Sequence, residues 1–301
     1  MKLWNSRRAG QMGQLTKYMM IGTAAAAFMG LSMNAQAQPA CTVDNWDDHG
    51  MVVGLSDADT GYQGANNRRY GGPCGLRVAF DGEDRYLIND SPNNEDHYIA
   101  RFYAFLDDLG PDPVIIFAGE GNGDDHFQVI FNEPDARDLT LRIFDESGVS
   151  SDLLYTDLDS GWHSIEVVWE TGADAEIRFA LNSDDPAQDL VTTVNNSGLG
   201  IDSVWLGNVA GASVGGTADF DDFDSRRNTR PERLCRGLTD ETRDSLSITD
   251  AQAIFTEVST AGSVLASGQP DFNETGSVTI QDAQSVFTQV STAQNSCEIN
   301  S

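Results

Sequence analysis

The chain has no lysine after Lys17, so every later cation is arginine or histidine. With 47 acidic residues against 18 basic ones it has no basic stripe to neutralise phosphates, which sets nucleic acid and anionic membranes aside as partners. Cysteine is sparse. Cys41, Cys74, Cys235 and Cys297 show no C-x2-C spacing, which argues against a zinc site. The four histidines, His49, His97, His126 and His163, are scattered, and none accompanies a G-x-S-x-G nucleophile turn. Beyond the N-terminal region no apolar run is long enough to cross a bilayer.

The one long apolar run is Met19–Met33. Lys2, Arg7, Arg8 and Lys17 precede it, and Ala35-Gln36-Ala37 follows as a small-x-small cleavage pattern. This predicts a signal peptide over 1–37 and a secreted, extracellular or cell-surface mature chain without a membrane span. Ser6-Arg7-Arg8 is followed by residues unlike a twin-arginine signal, so the general export route is expected. Four of the 18 basic residues and none of the acids lie there, which leaves 14 arginines and a formal charge of −33. Such a surface suits a saline or calcium-rich exterior, where screening is strong. An even cysteine count in an exported chain favours disulfides. Three pairings are open, and the local ones, Cys41–Cys74 and Cys235–Cys297, are the expectation.

From Cys41 to about Ser225 the apolar residues recur with period two, broken by Gly, Asp, Asn and Pro. Ile99-Arg101-Tyr103-Phe105 and its interleaved set form one strand. Phe127/Val129/Phe131, Leu139/Leu141/Ile143, Ile165/Val167/Trp169, Ala175/Ile177/Phe179, Val204/Leu206 and Ala218/Phe220 mark others. About ten to thirteen strands with no helix between them predict an antiparallel β-sandwich. The order IARFYAFLD, FQVIF, LTLRIFDE, GWHSIEVVWE, AEIRFALNS, GIDSVWLGNVAG, GTADFDDFDSRRN resembles concanavalin A-like, laminin-G-like jelly rolls over roughly 45–227. That resemblance implies a fold and leaves binding or glycan cleavage open. The E-x-D-x-x-E carboxylates of glycanases on that fold are missing. The nearest stretch, Glu133–Asp138, contains Pro134 and reads as a hairpin turn. Gly119–Asp125 reads as an acidic inter-strand loop and Asp221, Asp222 and Asp224 as acids on a terminal strand. Trp46, Trp162, Trp169 and Trp205 are read as core side chains before sugar platforms, and His163 as structural.

Asp224–Glu232 (DSRRNTRPE) is polar, arginine-dense and interrupted by Pro231, which marks a boundary and gives a sandwich over 38–227 and a second unit over 228–301. That unit is duplicated: ITDAQAIFTEVSTA from Ile248 returns as IQDAQSVFTQVSTA from Ile280. Ile248, Ala251, Ile254, Phe255 and Val258, and then Ile280, Ala283, Val286, Phe287 and Val290, recur at helical spacing. They predict two amphipathic helices packed on each other. Before the second helix, Asp271-Phe272-Asn273-Glu274-Thr275-Gly276-Ser277-Val278-Thr279-Ile280-Gln281-Asp282 places oxygen side chains at loop positions 1, 3, 5, 9 and 12 with glycine at 6. This is the spacing of an EF-hand-like Ca²⁺ loop, in which a hard cation gathers six or more oxygens.

The stretch GQPDFNETGSVTIQDAQSVFTQV resembles the dockerin type I module. The resemblance implies Ca²⁺ held by side-chain oxygens of Asp271, Asn273, Thr275 and Asp282, by the Ser277 carbonyl, and through water by Thr279. It also implies docking onto a cohesin-like protein, although Ile248-Thr249 and Ile280-Gln281 replace the Ser-Thr-like pairs that read that partner. The first loop, Thr239–Asp250, has Thr at position 1, Arg243 at 5 and Asp244 in place of glycine. It is expected to bind Ca²⁺ poorly unless Asp240, Asp244 and Asp250 form a shifted shell. The expected whole is a secreted, non-catalytic protein with a jelly roll for a glycan or protein and a Ca²⁺-bound docking module. A glycoside hydrolase or lyase, and a structural surface or matrix protein, are the alternatives.

Overall fold

The computed structural model describes residues 75–231, 233–234, 237–239, 245–259 and 278–292, residues 46, 70 and 272, and the backbone of 48–49. The expected signal peptide, all four cysteines, Asp240, Asp244, Asp271, Asn273, Thr275 and Ser277 lie outside the described residues.

The described chain is mainly β. One antiparallel sheet holds β1 (Asp48–His49), β3 (Arg85–Asn89), β12 (Ser203–Asn208), β5 (Val114–Gly121), β6 (Asp124–Phe131), β7 (Leu139–Phe144) and β8 (Ser150–Tyr155), in that spatial order. The other holds β11 (Leu190–Val194), β10 (Ala175–Leu181), β9 (Trp162–Glu170), β4 (His97–Phe105), β13 (Thr217–Arg226) and β2 (Leu76–Ala79). The sheets stack as a sandwich, with edge strands β8 and β11 side by side.

Period-two alternation supplies the core. Tyr98, Ala100, Phe102 and Ala104 of β4 and Ile165, Val167 and Trp169 of β9 point inward. They meet Phe117, Phe127, Val129, Leu141 and Ile143 from the facing sheet. Phe102 and Phe117 join the sheets at a ring separation of 4.9 Å. Trp169 is fully buried, and its indole N–H donates to the Leu199 carbonyl.

Two connections differ in kind from a free loop. Gly119–Asp125 is almost all strand: Asn122 (φ 55°) and Gly123 (φ 85°) make a two-residue turn between β5 and β6. Positive φ at both positions matches the right-handed strand twist, which is why Asn-Gly recurs there. Residues 132–138 form the β6–β7 connection, and the buried Asp138 accepts backbone N–H groups of Asp135 and Asp157. Its carboxylate organises loops and does not face a cleft.

After the sandwich come α1 (Ile248–Ser259) and α2 (Ile280–Ser291). Leu238, Leu246, Ala251, Ile254, Ala283 and Val286 form their common core. The two helices pack on each other as expected, but only part of each expected apolar set is covered. Ile248, Phe255, Val258, Ile280 and Phe287 are exposed. Two helices in contact cover only the seam between them, and the flanks need a third layer that the described residues do not supply.

Candidate functional site

Each outer face of the sandwich carries a chemical pattern of its own. On the β9 sheet, the residues opposite the core set are Ile99, Arg101, Tyr103 and Phe105 of β4 and Trp162, Ser164, Glu166 and Val168 of β9. Strand registry joins them into rows: Asp224–Arg101–Glu166–Ala180, Asp221–Tyr103–Ser164, and Asp219–Phe105–Trp162. An outer face with such polar rows would normally be solvated, yet Arg101, Tyr103, Ser164 and Glu166 are each at most 5 % exposed.

The chain itself covers them. Arg230 donates from Nε to Glu166 and forks onto Asp189 at 2.9 and 3.3 Å. Arg227 does not share in this cover: it lies over the ring of the inward-facing Tyr98 at 4.7 Å and pairs with Glu95 at 3.0 Å. Arg233 donates to the Asn182 carbonyl at 2.6 Å, and the Leu234 N–H donates to the Tyr103 hydroxyl at 2.7 Å. Tyr70 stacks on Tyr103 at 3.5 Å, and Leu234 closes a cluster with Tyr103, Phe105 and Trp162. The stretch read as a polar boundary is therefore a strap. Its arginines were visible in the sequence: Arg226, Arg227 and Arg230 fall within Asp224–Glu232, and Arg233 follows directly, in a chain with few arginines.

Burial governs the titration under the strap. It pushes Glu166 up to about 7 in spite of Arg230 and Arg101, with Asp189 adding to the rise. Arg230 is raised as well, because Glu166 and Asp189 together outweigh its own desolvation. The two directions agree physically: one guanidinium serves two carboxylates, so the arginine is well compensated and Glu166 only partly. Burial raises Tyr103 and lowers His163, whose ring nitrogens contact Asn182 and the Asp159 carbonyl. A carboxylate near neutrality beside an arginine and a tyrosine has acid–base capacity, but Arg230 fills the space between Glu166 and Asp189. The acids on β13 are also engaged: Asp219 takes a two-pronged bond from Arg77, Asp221 accepts the Tyr70 N–H, and Asp224 pairs with Arg226.

The other outer face is partly exposed, from the buried Ala118 to the exposed Asp152. Ile88, Trp205, Ala118, Gln128, Arg142 and Asp152 are successive cross-strand partners along one row. Trp205 stacks on Tyr86 at 4.8 Å, and both are half-buried. Arg142 is held by Glu133 and Asp152. Of the described tryptophans, Trp169 is in the core, Trp162 is buried with Leu234 on the strapped face and Trp46 packs on Phe223, so Trp205 is the one on this row.

In the helical unit, the structure brings together two of the six expected ligands. The buried Asp282 accepts at Oδ2 from the Thr279 N–H (2.7 Å) and Oγ1 (2.8 Å) at the start of α2. The loop's donors are all oxygen, as a hard cation requires, and Asp282 sits where a helix N-terminus favours an anion. Among the described residues no cluster of three or more His, Cys, Asp or Glu side chains is arranged to hold a metal.

No family model matches the chain, and no curated protein matches it by sequence. Solved structures do. An alginate lyase from Alteromonas sp. 272 aligns with TM-score 0.40 and 12 % identity, over 62 % of this chain and 96 % of that one. A family 18 polysaccharide lyase aligns with TM-score 0.39 and 10 % identity, over 52 % and 88 %. The binding domain of botulinum neurotoxin serotype D aligns with TM-score 0.38 and 8 % identity, over 51 % of this chain and 39 % of that one. The chain thus spans about two fifths of the toxin domain's length. These likenesses concern a sandwich and carry no argument for an activity.

Proposed function

We propose that this is a secreted, non-catalytic binding protein. Its sandwich recognises a polysaccharide or a protein, and its C-terminal repeat is a Ca²⁺-stabilised module that docks onto a cohesin-like partner. The observation that carries the reading is the matched exposure of the repeat. Ile248 and Ile280 are 41 and 42 % exposed, and Phe255 and Phe287 are 50 and 54 %. The same two positions of each copy hold large apolar side chains in solvent, at a cost that a partner surface would offset. Asp271, Asn273, Thr275, Ser277, Thr279 and Asp282 would hold the cation, which would fix the second loop on α2. The partly exposed Trp205–Tyr86 pair suits a sugar ring laid on an aromatic surface.

The test uses the full mature chain. A cohesin-like protein immobilised on a sensor should capture it, and Phe255→Ser with Phe287→Ser should abolish capture while leaving the circular dichroism unchanged. Capture unaffected by that pair removes the docking reading. A polysaccharide panel with Trp205→Ala as control tests the sandwich. A lyase or hydrolase reading is favoured by one feature, Glu166 with its raised pKa beside Arg101 and Tyr103. Turnover of a polysaccharide that Glu166→Gln eliminates would establish it.

A further inference from the structure

We infer that the two loops of the repeat close by different chemistry: the first on a hydrogen-bonded Thr239–Asp250–Ser247 staple that takes no cation, the second on Ca²⁺. The second half rests on the calcium reading proposed above; the first half does not.

The repeat has an offset of 32 residues, so Thr239 corresponds to Asp271, Ser247 to Thr279 and Asp250 to Asp282. Asp250 is completely buried. Its Oδ1 accepts from the Thr239 N–H at 2.9 Å and from the Thr239 Oγ1 at 2.8 Å. Its Oδ2 accepts from the Ser247 N–H at 2.8 Å and the Ser247 Oγ at 2.9 Å. Through these donors loop positions 1, 9 and 12 are joined without a cation. The donors also compensate the buried charge, as does the start of α1.

The second copy makes the same contact between its positions 9 and 12. Thr279 donates N–H and Oγ1 to Asp282, as Ser247 does to Asp250. Position 1, however, is Asp271, which has no side-chain proton to donate. A threonine facing a carboxylate is a donor facing an acceptor. Two carboxylates are two acceptors of like charge, and joining them needs a cation. The remaining substitutions run the same way: position 5 of the first loop is the cation Arg243, and position 6 is Asp244 where the second loop has Gly276. The first loop therefore does not fit Ca²⁺, and it has replaced the ion with its own hydrogen bonds.

Calorimetric titration of the full mature chain with CaCl2, paired with far-ultraviolet melts in Ca²⁺ and in EDTA, tests this. One Ca²⁺ per chain is expected. Asp250→Asn should lower the melt of the helical unit equally in Ca²⁺ and EDTA without changing that stoichiometry, whereas Asp282→Asn should erase the difference between the two melts. Should Asp250→Asn unfold the unit, Thr239→Val, which removes only the Oγ1 donor, takes its place. Thr239→Asp with Arg243→Asn and Asp244→Gly should raise the stoichiometry to two. Two ions bound by the wild-type chain, or an ion lost in Thr239→Val, would overturn the inference. If the wild-type chain binds none, the calcium reading of the second loop fails. The staple is then judged by the EDTA melt alone, and an unchanged EDTA melt in Asp250→Asn refutes it.

Discussion

Replacing Glu166 by glutamine should stabilise the protein above neutral pH and do nothing in mild acid. Glu166 lies 5 % exposed beneath the strap, with Arg230 shared between it and Asp189. Its pKa rises from 4.5 to about 7 on folding. Between those values the folded chain binds more protons than the unfolded one, so stability falls as pH rises through that window. The contribution is complete below about pH 4.5 and lost above about pH 7. The shift corresponds to about 3 kcal/mol. Glutamine mimics the protonated acid, with one oxygen still able to accept from Arg230, so it removes the penalty of the charged form. For a domain of this size, about 3 kcal/mol is a melting-point rise of roughly 6–12 °C. Thermal melts of wild type and Glu166→Gln from pH 5 to 8.5 should coincide at the acid end and separate as pH rises. A variant less stable than wild type at pH 8, with the gap closing in acid, would mean that the ion pair favours the charged carboxylate and would refute the burial argument.

Arg230→Ala leaves Glu166 and Asp189 without their shared cation. Denaturant unfolding should show a loss of about 3 kcal/mol at pH 8 and less at pH 5, and limited proteolysis should cut within 227–234 sooner. Trp169→Ala empties the centre of the core and should cost about 3–5 kcal/mol in the same assay, independent of pH. Trp205→Ala removes a partly buried ring from the outer face. Its cost should stay within about 1 kcal/mol, while polysaccharide retention in affinity gels is lost. Chelation by EDTA should lower the melting point of the helical unit and leave the near-ultraviolet signal of the sandwich tryptophans in place.

Much of the fold was legible because alternation is a local property. Phe127/Val129/Phe131 and Leu139/Leu141/Ile143 declare their common face through side-chain period alone, and all six are interior. Both helices were equally plain, since a 32-residue repeat doubles the signal. Of the candidate metal site, Thr279 and Asp282 meet as a capping box at the start of α2, and Asp271, Asn273, Thr275 and Ser277 lie outside the described residues. The strap was not legible. Arg230 is 64 residues from Glu166 and 41 from Asp189, and nothing in DSRRNTRPE says whether its arginines face water or carboxylates. Phe255 and Phe287 misled for a related reason: helical spacing places them beside Ile254 and Val286, but the width of the buried seam depends on how many elements pack there.

The amino-acid sequence by itself determined the mainly β architecture, the side-chain alternation of the strands and the positions of the two helices. Those follow from dihedral preference and side-chain period within a few residues. Only the tertiary structure decided which faces are covered. It buried the Arg101–Glu166 row under the chain's own arginines, left Trp205 partly exposed, and closed the first loop on Asp250. Each of these depends on charges and donors far apart in the chain meeting at hydrogen-bond distance, where desolvation gives them an energy that spacing alone does not encode.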